Sequence, residues 1–109
     1  MSSSSQYSIV LTTTSSKKDA EKIIQALLTT KLAACIQVYE IKSYYTWKEK
    51  INEDSEQLLL IKAKADLYPE IEASIKANHT YEIPEIIQIP IVNGSEGYLN
   101  WVEEVSKHI

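Results

Sequence analysis

KLAACIQVYEIKSYYTWKEKINEDSEQLLLIKAK, from Lys31 to Lys64, is the stretch that decides the architecture. From Ala33 to Trp47 no apolar residue recurs at helical spacing. Ile36, Val38 and Glu40 interleave with Cys35, Gln37, Tyr39 and Ile41, which is the period of two expected of a long strand. The polar run Lys48–Glu56 is predicted to be a turn region, and Gln57–Ala65 returns as a second strand, so the centre of the chain is a β-hairpin.

Working outward, Tyr7–Thr13 alternates and is rich in β-branched residues, predicting a strand. A helix follows, capped by Ser15 or Ser16 with Asp19 in its first turn, and Ala20, Ile23, Ile24, Leu27 and Leu28 form one apolar stripe. Downstream, Asp66 is expected to cap a second helix carrying Leu67, Ile71 and Ile75. Pro69 is tolerated in its first turn, and Asn78 is expected as a left-handed C-cap. The segment HTYEIPEIIQIPI (His79–Ile91) then passes from a polar loop into the strand Glu85–Ile91. Asn93-Gly94-Ser95 leads into a last helix with Tyr98, Trp101, Val102 and Val105 on one stripe. The order is β-α-β-β-α-β plus a C-terminal helix. Two right-handed crossovers around a central hairpin give an α+β, ferredoxin-like antiparallel sheet with both helices on one face. Residues 1–6, a serine run, are expected to be a disordered tail, and residues 7–109 a single domain.

Composition limits the partners. The 109 residues suffice for one core without disulfides, and the single cysteine, Cys35, allows neither a disulfide framework nor a Cys-rich zinc site within one chain. The net charge is −4 and every basic residue is a lysine. A chain without a basic face or an arginine fork is a poor binder of phosphates, and two glycines cannot make a Gly-rich phosphate loop. No nucleic-acid partner is expected. No apolar run nears the roughly 20 residues that span a bilayer, and the N-terminus lacks the regions of a signal peptide, so no membrane partner is expected, while the lone cysteine makes a reducing compartment the default.

Several strands are apolar on both faces: Leu58 and Leu60 oppose Leu59, Ile61 and Ala63, and Ile86 opposes Ile87, Ile89 and Ile91. Two helices cover one face only. Either the terminal helix folds under the other, or identical chains pack sheet on sheet and pair their overhanging edges, and the long edges favour an oligomer.

The same topology serves several functions, and residue content removes some. Leu58–Lys64 lacks the aromatics of an RNA-recognition module, a lone Cys35 cannot make a Cys-x-x-Cys metal chaperone, and the absence of arginine excludes an acyl-phosphate hydrolase. The central stretch quoted above, HTYEIPEIIQIPI, and the terminal YLNWVEEV resemble, in matching order over about residues 7–106, the signatures of the CutA divalent-cation-tolerance family. The resemblance implies a ferredoxin-like subunit of a homotrimer, cytoplasmic and associated with tolerance of copper and other divalent metal ions. No nucleophile-base pair and no carboxylate pair with acid-base spacing is evident in the sequence, so no enzymatic activity is expected. Two positions depart from the family pattern. Glu49 stands where members commonly carry a glycine in the hairpin turn, and Thr12 stands where some bacterial members have a cysteine proposed as a copper ligand.

For weak binding of Cu²⁺ or another divalent metal, His79 is the candidate nitrogen ligand, with Glu82 and Glu85 adding oxygens from the same stiff, Pro84-containing loop. Equally, His79 is a helix-end residue bonded to backbone, and Glu85 a solvated charge at a strand start. Tyr44, Tyr45 and Trp47 crowd the hairpin, either as packing between subunits or as the wall of a small-molecule cleft, and Lys62 is a candidate to draw an anion there. That second possibility describes a trimeric signalling or scaffold module resembling the PII regulators. Cys35 is expected to be a buried thiol.

Overall fold

The computed structural model of the chain describes residues 5–108. Its elements are β1 (Tyr7–Thr14), α1 (Lys17–Thr29), β2 (Cys35–Trp47), β3 (Lys50–Lys64), α2 (Tyr68–Asn78), β4 (Ile86–Ile91) and α3 (Glu96–Val105). The strands lie in the order β2-β3-β1-β4, each antiparallel to its neighbour. This is the expected ferredoxin-like sheet.

The register explains the layers. Val10 pairs with Ile61, Thr12 with Leu59 and Ser8 with Ala63, and directly paired residues share a face. Those side chains meet Ala20, Ile23 and Leu27 of α1 and Ile71 and Ile75 of α2, forming the core. Burying a Leu or Ile side chain contributes about 1.5–3 kcal/mol, so this layer supplies most of the subunit's cohesion.

α1 starts and stops by side-chain and backbone chemistry legible in its sequence. Of the two candidate serines, Ser16 caps, its hydroxyl accepting from the Asp19 N–H at 3.1 Å. At the other end, Lys31 takes φ 60°, while the Lys31 N–H bonds the Leu28 carbonyl and the Leu32 N–H bonds the Leu27 carbonyl. This is a Schellman closure made by a lysine instead of the usual glycine. Leu28, expected on the buried stripe, is exposed at its edge.

Three expectations are corrected. Asp66 does not cap α2: it lies in a 3₁₀ turn, Ala65–Leu67, and α2 begins behind Leu67 without a side-chain cap. The turn already satisfies the entry, with the Tyr68 N–H bonding the Ala65 carbonyl. Asn78 is not left-handed. It is the last residue of α2, and its amide donates back to the Ser74 carbonyl at 2.8 Å while His79 leaves in an extended conformation. Nor is Lys48–Glu56 a turn region. Only Lys48 and Glu49 turn, and β3 begins at Lys50. The hairpin therefore runs past the 8-residue β1, which pairs only with Gln57–Lys64, by about half the length of the 15-residue β3.

On the second face, α3 covers one end only. Tyr7 donates to Glu103 at 3.1 Å, the Lys64 ammonium lies 3.1 Å from the same carboxylate, and the Lys62 ammonium sits 5.4 Å from the Tyr98 ring centroid. The chain after α3 is tied down as far as Lys107, whose N–H reaches the Lys31 carbonyl and whose ammonium pairs with Glu70 at 2.7 Å. Beyond this end the face stays open: Ile87 is 48% exposed, Ile89 41% and Tyr39 58%. The expected disordered tail lies outside the described residues up to residue 4. At its end, the Gln6 carbonyl is already paired with the Ala65 N–H.

Candidate functional site

The loop between α2 and β4 is held by its histidine. The Thr13 carbonyl can only accept, so His79 Nε2 carries the proton and donates to it at 2.7 Å. His79 Nδ1 then accepts the Tyr81 N–H at 3.0 Å. Both ring nitrogens are engaged, and no lone pair remains for a metal unless one of these bonds opens. Of the two possibilities raised by the sequence, the helix-end role bonded to backbone is the arrangement observed.

The next link points toward the hairpin. Tyr81 packs against the His79 ring, with centroids 4.7 Å apart, and its phenol donates to Glu56 Oε2 at 2.6 Å. Burial, then the Glu56 carboxylate, pushes the Tyr81 phenol above its usual value, so it stays a donor throughout the neutral range. Glu56 itself is only 9% exposed.

Between this loop and the hairpin lies a cleft of about 670 Å³. The hairpin contributes Ser43, Tyr44, Tyr45, Trp47, Asp54 and Glu56, β1 contributes Thr13, and the loop contributes Tyr81, Glu82, Ile83 and Glu85. Four carboxylates line it, and among the described residues no lysine or histidine does. Tyr45 donates to Asp54, whose carboxylate, together with burial, raises the Tyr45 phenol pKa. The hairpin is closed by a two-residue turn in which Lys48 takes φ 51° and Glu49 φ 64°. Two positive φ angles define a type I′ turn, which ordinarily selects Asn-Gly, so the missing glycine leaves a strained turn at the tip.

The cleft unites two groups of residues that the sequence kept apart. Glu82 and Glu85, expected as metal ligands, face the same space as Tyr44 and Trp47, expected as cleft walls. His79 is not among the lining residues. Lys62 lies at the opposite end of the sheet, paired with Ile9 and Cys35, roughly 20 Å along β3 from Glu56. Cys35 is half-buried. Thr12 is wholly buried on the helix-covered face, whereas Thr13, on the other face, lines the cleft, so a ligand at position 12 would point away from it. Asp54 and Glu56 were not singled out by sequence. They sit in a run of polar residues in which no periodicity marks one carboxylate from another.

Within one chain this set does not fit a bound metal. Among the described residues, no three of His, Cys, Asp and Glu stand close enough together to hold an ion. Among the described residues, too, no helix is long and apolar enough to cross a membrane.

Comparison with known proteins gives the setting of this cleft. Residues 8–105 match the family described as CutA1 divalent ion tolerance protein. The chain is 38% identical over 97 residues to the divalent-cation tolerance protein CutA of Thermus thermophilus, covering 88% of this chain and 94% of that protein. It is 37% identical over 101 residues to the chloroplastic protein CutA of Arabidopsis thaliana, covering 92% of this chain but only 56% of that longer protein. Against the crystal structure of CutA1 from the psychrotrophic bacterium Shewanella sp. SIB1, the TM-score is 0.93 at 34% identity, covering 97% of this chain and 100% of that one. The chain belongs to the CutA1 divalent ion tolerance protein family.

Proposed function

We propose that the chain is the subunit of a cytosolic homotrimer that serves tolerance to divalent cations, binding copper-class ions weakly and without catalysis. The observation that carries this is the charge of the cleft: Asp54, Glu56, Glu82 and Glu85 line it, and among the described residues no cationic side chain does. A cleft of one sign concentrates ions of the other. Binding is weak because no three donors meet among the described residues of one chain, so a second copy must complete the set. In this proposal Glu82 and Glu85 carry the ion. His79 positions the loop, its lone pair being engaged by Tyr81.

Assembly follows from the open face of Ile87, Ile89 and Tyr39 and from the overhanging hairpin, which leaves strand edges without a partner. The number three rests on the family resemblance. The cytosolic placement rests on the single cysteine and the lack of a long apolar run.

Light scattering after size exclusion is expected to give about three times the subunit mass at low micromolar concentration, and Ile87→Glu with Ile89→Glu to lower it. A stable wild-type monomer would sink the assembly. Titrating chelator-treated protein with Cu²⁺ is expected to show binding that Glu82→Gln with Glu85→Gln weakens more than about tenfold, or roughly 1.4 kcal/mol. His108→Ala is the control for adventitious copper. Should His79→Ala abolish binding while the double glutamate variant leaves it intact, His79 is a ligand and this assignment is wrong.

A further inference from the structure

We propose that Asn93 is a self-modification site: its side-chain amide is lost to the backbone nitrogen of Gly94 through a cyclic succinimide, and hydrolysis leaves aspartate or isoaspartate at the entrance to α3. The site is independent of the divalent-cation proposal. Ile91, two residues before Asn93, pairs with Tyr7 at the start of β1, whereas the cleft is lined by Thr13 near its end.

Ring closure needs an amide free to rotate, a backbone nitrogen free of a hydrogen bond, and no side chain crowding that nitrogen. The chain has four asparagines, and the structure separates one from the rest. Asn52 lies within β3, and its amide donates to the Lys50 carbonyl at 3.1 Å. Asn78 ends α2 with its amide on the Ser74 carbonyl at 2.8 Å, and Asn100 lies within α3. The residues that follow these three are Glu53, His79 and Trp101, each with a side chain over the nitrogen. Asn93 differs in every respect. It lies in the irregular residues 92–95 between β4 and α3, and it and Gly94 are exposed. Among the described residues no hydrogen bond holds the Asn93 side chain or the Gly94 N–H. Gly94 has no Cβ, so the attacking nitrogen is open.

The step balances with water as the only co-reactant. The Gly94 nitrogen gives up its proton and attacks Asn93 Cγ. A bond from that nitrogen to Cγ forms, the bond from Cγ to Nδ2 breaks, and Nδ2 takes a proton and leaves as ammonia. Water then opens the ring. Opening at Cγ restores the ordinary backbone and leaves aspartate, while opening at the main-chain carbonyl routes the chain through Cβ and Cγ and leaves isoaspartate, one carbon longer.

The two products act differently on α3. Gly94 sits against Leu99, where an added Cβ would lie 3.0 Å from Leu99 Cγ and 3.1 Å from both its methyls. The Leu99 N–H is in turn bonded to the Ser95 carbonyl at 3.0 Å. This contact leaves little room for a longer backbone, so isoaspartate displaces Gly94 and loosens the first turn of α3. Aspartate keeps the backbone and adds a negative charge ahead of a helix start that has no side-chain cap, where the positive end of the helix dipole favours it.

The test ages the full chain in mildly alkaline buffer and maps its peptides by mass spectrometry. Conversion of amide to acid is expected at Asn93 at least about tenfold faster than at Asn52, Asn78 or Asn100. Aspartyl and isoaspartyl forms of one peptide should appear together, the mark of a shared succinimide, and Asn93→Gln should abolish both. An Asn93 that keeps its amide in the folded chain while losing it in denaturant overturns the proposal, as does loss at equal rates from all four asparagines. Hydrogen exchange reads the effect on α3. In the isoaspartyl form, separated by chromatography, the amides of the first turn of α3 are expected to exchange at least about tenfold faster than in the unaged chain, and those of Asn93→Asp no faster. Equal exchange in the isoaspartyl form and the unaged chain overturns the coupling to α3.

Discussion

The two halves of β3 are one strand in two environments. From Gln57 to Lys64 it runs beneath α1 and α2, with Leu59, Ile61 and Ala63 fully buried and alternating in period two. From Lys50 to Glu56 it continues with the same backbone pairing to β2 but beyond the reach of either helix. There the partners are Tyr44 with Glu53, Tyr45 with Asn52 and Thr46 with Ile51, and side-chain links such as Lys42–Glu53 at 3.4 Å replace apolar contact. Strand structure is thus set by backbone pairing, while apolar alternation is a signature of the core beside it. Where no core lies alongside, the strand persists and its signature disappears. The overhang is also where the cleft forms, because only a strand without a covering layer leaves room for one.

Substitutions in the two regions test this contrast, at fixed chain concentration since assembly contributes to apparent stability. The largest effect is expected in the inner half. Ile61→Ala removes a fully buried side chain from the interface of sheet and helices, and denaturant unfolding is expected to show a loss of about 2–5 kcal/mol. A loss below about 0.5 kcal/mol would mean that the core does not hold this half, and the contrast fails.

Thr12→Val acts in the same layer with the opposite sign. The Thr12 hydroxyl is buried with no hydrogen-bond partner among the described residues. Replacing it with a methyl of similar volume is expected to stabilise by about 1–2 kcal/mol. A destabilised variant would show that the hydroxyl has a partner after all.

At the hairpin tip, Lys48→Asn with Glu49→Gly substitutes the residues that a type I′ turn favours, and is expected to raise stability by about 1 kcal/mol. Thermal unfolding reads the gain. Its absence would imply that the strained turn is compensated by contacts with another chain.

The smallest effect concerns the end covered by α3. Lys64, helped by Tyr7, holds the Glu103 carboxyl below its ordinary value of 4.5. A depressed folded-state pKa adds stability above the unfolded value, and that stability is lost as pH falls through the lowered one. Lys64→Met is therefore expected to cost under about 1 kcal/mol at neutral pH, the pair being partly exposed. The gap between variant and wild type should close as pH falls through the lowered value, below the ordinary carboxylate range. A gap that widens in acid would contradict the assignment.

Sequence alone determined the element order, the ferredoxin-like sheet, the Ser16 cap as one of two candidates and the surplus of apolar surface. Each depends on local periodicity or on local capping chemistry, which residues express whatever their distant neighbours do. It also placed Tyr44, Trp47, Glu82 and Glu85 among the functional candidates, though in separate groups. Only the tertiary structure decided that these four share a cleft, that Glu56 is buried within it and that Lys62 is remote from it. Glu56 and Glu53 are equivalent acids in the sequence, and what separates them is the Tyr81 loop laid across one of them from 25 residues away. The hydrogen bonding of His79 is likewise a tertiary matter. Its residue type permits coordination, but the Thr13 carbonyl and the Tyr81 N–H engage both nitrogens, and no property of the sequence near position 79 reveals a hydrogen bond to β1, 66 residues upstream.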